Sequence, residues 1–491
     1  MLFNSYIFVL LFLPCALGSY YLLNHFHRYT SAKAILVLMS LWFYAYFNVS
    51  YLKIILLSVL LNFALSKLIL HFRQKSRMGC SKGTLAVGIL ANLTLIFHYK
   101  YFNFFMENLS AFLHIDFSFR NILMPLGISF FTFQQISYLV DSYREETREY
   151  RFIDYCLFVT FFPQLIAGPI VMHDEMIPQF QDQKRKSFDQ ESFAVGLYCF
   201  AVGMAKKVLL ADVLGGAVDW GFSNVSVLTA ADTAIVALLY TFQLYFDFSG
   251  YCDMAYGIAK MFRIDLPFNF NSPYKSLSIS DFWNRWHMTL GRFLRKYVYF
   301  PMGGSRKGEI RTWLNLFVVF LVSGIWHGAN WTYILWGAAH GGARVLHRIF
   351  KKPWECLPKG IRWLVNFAFI SFAWMLFRAE SITDFGIMAG RLVKGSWNSI
   401  NPEILNKFDI LEFTYVEEHA AVLGRLAESI PWLHLGIMLA LAGGLALIPK
   451  NCCRKSEALV LTPVNAVCCT VLLVWSVISF AGVSTFLYFN F

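Results

Sequence analysis

Apolar runs of about 20 residues follow one another through this chain from end to end, the length a helix needs to cross a bilayer. Hydrophobic residues make up 57% of the 491 positions and charged residues only 15%, against about 25% charged in a soluble domain. The expected fold is therefore an all-α polytopic membrane protein. The runs number roughly eleven to thirteen. They include 6–23, 51–71, 84–97, 122–140, 153–171, 195–214, 230–246, 315–337, 363–377, 433–448 and 464–488. Several are short or broken by Pro and Gly, which is tolerated only where protein buries the backbone or a cavity borders it. No linker, repeat or low-complexity tract divides residues 1–491, so a single membrane-embedded domain is expected.

The net charge of +12 points to the membrane surface and not to nucleic acid, because the basic residues fall mostly between apolar runs. Arg73, Lys75 and Arg77, the stretch 344–362 and the loop 450–455 read as cytoplasmic, and the acidic stretch 380–428 as external. Lys184, Arg185 and Lys186 would then fall outside if every run crossed; a re-entrant segment there restores the count. The first apolar run lacks a preceding basic segment and a small-residue cleavage site, so it reads as a retained span. Most of the 10 cysteines sit singly in apolar runs. The adjacent pairs Cys452-Cys453 and Cys468-Cys469 suit neither a metal site nor an ordinary disulfide.

Three polar regions interrupt this pattern. The first, Tyr240-Thr241-Phe242-Gln243-Leu244-Tyr245-Phe246-Asp247-Phe248-Ser249-Gly250-Tyr251-Cys252-Asp253, sets two carboxylates among aromatics. An intramembrane Asp needs a partner or water. In the second, Pro267, Asn269, Asn271 and Pro273 rule out a continuous span. A helix capped by Ser278, Ser280 or Asp281 is expected to follow. It would place Asp281 and Arg285 four apart, able to pair, and Trp283 and His287 likewise. The stretch 292–311 then interleaves Arg and Lys with aromatics, as an interfacial segment anchored at headgroups does, or one that holds the phosphates of an acyl donor. Its turn Gly303-Gly304-Ser305-Arg306-Lys307-Gly308 lacks the Walker A spacing. Backbone N–H groups with Arg306 and Lys307 could still bind the phosphates of a donor.

The third region is Ser323-Gly324-Ile325-Trp326-His327-Gly328-Ala329-Asn330-Trp331. A histidine inside an apolar run costs roughly 2–4 kcal/mol on insertion scales, so a run that keeps one usually uses it. Its unperturbed pKa near 6.5 suits proton exchange. Gly324 with Gly328, and Gly337 with Gly341, are small-xxx-small pairs that let helix backbones approach closely. Asn330 is expected to fix the imidazole tautomer and Trp331 to shield it. His340 has no polar company in the sequence and reads as structural.

Several stretches together resemble the membrane-bound O-acyltransferase superfamily, within it the bacterial branch of alginate O-acetyltransferase membrane subunits. They are 126–134, Phe162-Pro163-Gln164-Leu165-Ile166-Ala167-Gly168-Pro169, 243–251, 269–274, 281–304, 326–337 and 372–378. The separation of His287 from His327 also resembles that family's two-histidine pattern. The resemblance implies a ring of helices around a tunnel, and acyl transfer from a thioester to a hydroxyl. It implies His327 as the catalytic histidine and His287 in the second family position. The donor would be cytoplasmic acetyl-CoA or another acyl thioester, with no cofactor and no metal. The acceptor would be an extracytoplasmic polysaccharide, served through a periplasmic or extracellular esterase-like partner. The protein would lie in the bacterial inner membrane as a multi-pass chain, as in alginate and other exopolysaccharide biosynthesis.

The residues fit that chemistry. A histidine in hydrogen-bond reach takes the proton of a hydroxyl as it attacks a thioester carbonyl. His287, Asn284 or Asn330 would polarise the carbonyl or position the acceptor, and Asp281, Arg285, Trp326 and Trp331 would line the substrate. A transporter or flippase of a glycan or lipid precursor competes, using Asp247, Asp253, His287 and His327 as a pathway. A repeated half, which would favour it, is absent. A non-catalytic scaffold is a third reading, and only the enzyme releases thiol in step with transfer.

Overall fold

The computed structural model describes residues 1–491 apart from 148, 449–450, 461, 481–485 and 488–491, and apart from the side chains of 421, 423 and 453. Lys450 of the basic loop and the end of the 464–488 run lie outside the described residues. The described chain is helical, with no strand among its elements. Among the described residues six helices are long and apolar enough to cross a membrane: Phe8–His25, Ser50–Gln74, Met78–Leu113, Gln190–Ser223, Glu309–His327 and Lys359–Arg378. Tyr29–Ala45, Leu433–Leu447 and Pro463–Ile478 are shorter apolar helices.

The chain separates into two compact units, each assembled from distant segments: Met1–Gly203 with Tyr251–Phe268 and Ser456–Phe491, and Met204–Gly250 with Asn269–Lys455. No linker marks the division because the units interleave along the chain.

The first unit packs on aromatics. Phe3, Phe8, Phe12, Phe43 and Phe162 are all nearly inaccessible and touch ring to ring at 5.0–6.2 Å. Its buried polar groups meet one another across helices. The Asn92 amide donates to Asn62 Oδ1 at 2.6 Å, and Gln135 donates to Ser58 at 3.1 Å. Lys33 pairs with Asp154. Such bonds tie helices where apolar burial alone gives little preference between lipid and protein. The apolar run 153–171 is not a span. Its helix Phe152–Thr160 has 9 residues, far short of the about 20 a crossing needs. Pro163 opens a second short helix, Phe162–Leu165.

The second unit is built around a helical hairpin. The run 315–337, expected to be one span, is two helices. Glu309–His327 stops at Gly328, and Trp331–Ile349 starts from Asn330, whose side chain caps it by accepting from the Thr332 N–H at 3.0 Å. The two-glycine pattern explains the crossing. A Cβ on Gly324 would lie 2.3 Å from the Tyr333 carbonyl oxygen and 3.0 Å from the Gly337 Cα. The carboxylate of Asp247 finds its partner here: Lys207, almost fully buried, bonds Asp247 at 2.6 Å and Asp212 at 2.9 Å. Lys207 lies in a one-turn π segment, Lys206–Ala211, a distortion that often marks functional positions.

Candidate active site

The expected helix through Trp283 and His287 breaks. Ser278 caps Ile279–Trp283 through the Asp281 N–H at 3.2 Å, and the helix ends after 5 residues. Asp281 and Arg285 do pair, at 2.7 Å, and Arg285 also donates to the Asn271 carbonyl at 3.3 Å. With the bonds Asn271 N–H to Arg285 O (2.9 Å) and Met288 N–H to Asn269 O (3.0 Å), this lashes the irregular stretch after Leu266 against residues 285–288. Asp281 and Arg285 therefore hold backbone; neither borders the cavity described below.

His287 sits at the centre of that clamp with φ 44° and ψ 51°, left-handed for a side-chain-bearing residue, and then caps Met288–Leu294. Such backbone is strained and persists only where its surroundings over-determine it. Asn269 Oδ1 accepts the Thr289 N–H at 3.2 Å and the Thr289 hydroxyl at 2.7 Å, so it is the oxygen end of the amide. Its contact with His287 Nδ1 at 3.3 Å thus requires Nδ1 to donate. The neutral ring then carries its lone pair on Nε2. A ring in that tautomer cannot donate from Nε2 to a carbonyl.

His327 is the last residue of its helix, not the middle of a span. His287 and His327 are 1% and 4% exposed, and their rings lie 6.5 Å apart, centre to centre. Trp326 (4.9 Å), Trp336 (5.2 Å) and Phe377 (5.2 Å) surround the His327 ring, and Trp326 reaches the His287 ring at 6.1 Å. Asn330 and Trp331 do not serve as expected. Asn330 spends its oxygen on the helix cap and its amide on the Glu380 carbonyl at 2.8 Å. Trp331 is 49% exposed. The shielding comes instead from Trp336 and Phe377, which arrive from the next helix turn and from Lys359–Arg378.

His287 borders a cavity of about 450 Å³, with Asn284, Trp283 and Ser323 beside it. Leu316, Val319, Phe320 and Ser323 line it from Glu309–His327. Their spacing of three and four is one helix face, and His327 continues that face one turn beyond Ser323. The other end of the cavity is cationic: Arg295, Arg344, Arg348 and Lys351 with His347. Glu309 neutralises Arg348 at 2.9 Å, and Glu355 approaches Lys351 at 3.8 Å. Arg295 and Arg344 have no carboxylate partner among the described residues, and Arg344 is repelled by both Arg295 and Arg348. Arg306 and Lys307 are exposed and do not border the cavity, so the turn 303–308 is not where this cavity holds charge. Arg295 belongs to the basic stretch 292–311 that the sequence offers for phosphates, but its meeting with Arg344 could not be read there because the two come together only after the hairpin folds.

It also missed Trp283. Its indole N–H donates to His340 Nδ1 at 3.2 Å, which ties a wall of the cavity to a fully buried histidine packed against Trp336 at 4.8 Å. His340 therefore has the polar company that its sequence neighbours lack.

The model of the membrane-bound O-acyltransferase family matches residues 41–383. A peptidoglycan O-acetyltransferase of Helicobacter pylori is 42% identical over 412 residues, 78% of each chain. A probable alginate O-acetylase, AlgI, of Pseudomonas aeruginosa is 37% identical over 390 residues, 78% of this chain and 73% of that one. A teichoic acid D-alanyltransferase of Bacillus subtilis is 28% identical over 285 residues, 53% of this chain and 70% of that one.

Proposed function

Because the chain belongs to the membrane-bound O-acyltransferase family, and is thus a multi-pass membrane acyltransferase, we propose that it carries an acetyl group from a cytoplasmic thioester to a hydroxyl across a bacterial inner membrane, with His327 as general base. The observation that carries this reading is a buried histidine, His287, bordering a cavity that also holds a cationic cluster, with the buried His327 ring 6.5 Å from it. An anionic thioester such as acetyl-CoA enters with its phosphates on Arg295 and Arg344. Its acyl end then extends along the apolar face of Glu309–His327 toward His287.

In the transfer step the acceptor oxygen attacks the thioester carbonyl carbon while His327 takes the hydroxyl proton. The C–S bond breaks, the sulfur leaves as thiolate, and the imidazolium returns the proton to it. Asn284, bordering the cavity, supplies an amide donor to the carbonyl oxygen as charge develops. The His287 ring borders the cavity and positions the incoming hydroxyl by contact, leaving its one proton to His327. Exclusion of water by Trp326, Trp336 and Phe377 favours transfer over hydrolysis.

The relatives named for peptidoglycan and alginate support a polysaccharide as the final acceptor. An esterase-like periplasmic or extracellular partner would finish the delivery. The test is thiol release from acetyl-CoA by membrane vesicles, followed together with glycan acetylation. Both stop in His327→Ala while insertion stays normal. Glycan acetylation by that variant, or acetylation with no thiol released, overturns the reading.

A further inference from the structure

Two walls of the cavity run in opposite directions between the same two ends. On one, Met288–Leu294 and the π segment Arg295–Tyr299 that continues it lead from His287 to Arg295. On the other, Glu309–His327 leads from Glu309, which pairs with Arg348 at 2.9 Å, to His327, whose ring lies 6.5 Å from that of His287. Side chains fill the middle of the second wall, where Leu316, Val319 and Phe320 border the cavity. The middle of the first wall is bare. Gly291 stands there, four residues from His287 and four from Arg295, and it too borders the cavity.

The fold does not ask for glycine at this place. Gly291 is not among the residues with positive φ, and its N–H donates to the His287 carbonyl at 3.1 Å, as in any helix. Outside its own helix, a Cβ would meet no atom nearer than the Trp283 carbonyl oxygen at 3.9 Å. Gly324 is the opposite case, since a Cβ there would strike backbone. Glycine inside a helix weakens it relative to alanine. Leu294 and Arg295, three and four residues on, share the face of Gly291 and border the cavity. A side chain at 291 would therefore project into the cavity, between the histidine and the cations. Gly342 supplies the control. It lies inside Trp331–Ile349 with nothing within 4 Å of its Cβ position, yet it does not border the cavity.

We propose that Gly291 is a specificity-determining residue for the donor: its bare backbone forms the waist of the cavity, and the arm that joins the donor's anion to its thioester lies against it. This rests on the acyltransferase reading and adds to it the place where the donor's girth is limited. The eight positions from His287 to Arg295 span about 12 Å at 1.5 Å each. An arm that long, held by its anion at Arg295, has to pass Gly291 to bring its acyl end to His287. Any group added at 291 takes its volume from the arm and leaves the histidines and the cations in place.

The test reads equilibrium binding of coenzyme A to the full-length protein in detergent, and thiol release from acetyl-CoA by vesicles. Gly291→Ala raises the dissociation constant and the donor KM about two- to threefold while the melting temperature holds or rises; misfolding gives the opposite sign. Gly291→Leu raises both roughly tenfold or more, with kcat at saturating donor and the acceptor KM little changed. Gly342→Leu changes neither. If Gly291→Leu binds coenzyme A as the wild type does, the side chain finds room elsewhere and the proposal falls. It falls as well if Gly342→Leu matches Gly291→Leu, if donor and acceptor affinities drop together with the melting temperature in both Gly291 variants, or if the wild type binds no coenzyme A. Binding needs no turnover. Coenzyme A binding that weakens with the size of residue 291, without thiol release by the wild type, would keep the waist and overturn the acyltransferase reading. Thiol release with a donor KM indifferent to residue 291 would do the reverse.

Discussion

Two histidines, one in each unit, are equally hidden and differently set. His173 in the first unit is 1% exposed, as is His287 in the second. Asp141 meets His173 Nε2 at 3.3 Å, and the Tyr150 hydroxyl meets Nδ1 at 3.3 Å. Both ring nitrogens are committed to the protein, in ordinary helical surroundings. His287 instead sits on left-handed backbone, with Nδ1 tied to Asn269 and a face on the cavity. Burial alone therefore does not mark a working histidine. Backbone strain and adjoining empty volume are what set His287 apart.

The sharpest way to break that contrast is to remove each ring. Ala at His327 or His287 is expected to cut kcat by about 10²–10⁴ with little loss of thermal stability. Ala at His173 should do the opposite, costing about 1–3 kcal/mol for the buried groups it leaves with kcat of the folded fraction unchanged. Steady-state thiol release and melting of the purified variants score both; a catalytic collapse in His173→Ala would erase the distinction.

A second contrast separates the cations of the cavity from those of the turn. Gln at Arg344 and Arg295 together is expected to raise the donor KM roughly 10–100-fold, since charge-assisted bonds contribute about 1.5–3 kcal/mol. Gln at Arg306 and Lys307 should leave donor KM unchanged. Equal effects of the two pairs would return donor binding to the turn.

Asn269→Ala tests whether the tautomer matters. It removes one neutral bond to the ring, and kcat should fall about five- to tenfold, as the loss of about 1 kcal/mol implies. Donor KM should hold. A drop in stability with unchanged kcat in the folded fraction would make Asn269 a brace for Thr289 only.

The smallest expected effect is at Asp265, in the first unit and away from the cavity. Burial raises its carboxyl pKa, but hydrogen bonds from Lys260 and Arg185 outweigh that and hold it below the ordinary carboxylate range. The stabilisation is present above the unfolded pKa and is lost as pH falls through the lower folded one. Its side chain is 40% exposed, so Asp265→Asn should cost under about 1 kcal/mol, with the deficit vanishing in acid. A deficit that persists below the folded pKa would show that packing, and not charge, is what Asp265 contributes.

Apolar runs made the helices legible because lipid imposes a length and a composition on any segment that crosses it. The pair of Asp281 with Arg285 was legible from its spacing of four, whereas the crossing of Gly324 with Gly337 was not, because both fall in what reads as a single span. Breaks were harder. At Gly328 a helix ends where the Tyr333 ring occupies the place of a side chain, and only Asn330, the cap of the next helix, marks the break in the sequence. The left-handed turn at His287 depends on Asn269, 18 residues back. Asn330 and Trp331 were credited to His327 from proximity in sequence, whereas the helix stop turns them away. Arg295, Arg344 and the Trp283–His340 bond are contacts of tertiary structure alone.

The Glu309–His327 helix also works as a measuring rod. Nineteen residues at 1.5 Å each span about 28 Å, close to the roughly 30 Å hydrocarbon thickness of a bilayer. One end is pinned among cations by Glu309 and Arg348; the other carries the imidazole. On the reading proposed above, a donor anchored by its anion can present an uncharged acyl carbon near the far end while its phosphates stay in the aqueous layer. Carrying even one charge to mid-bilayer costs at least about 2.5 kcal/mol. A protein built to this length lets the bond exchange itself do the crossing, and needs neither a rocking motion nor an ion gradient to move the group.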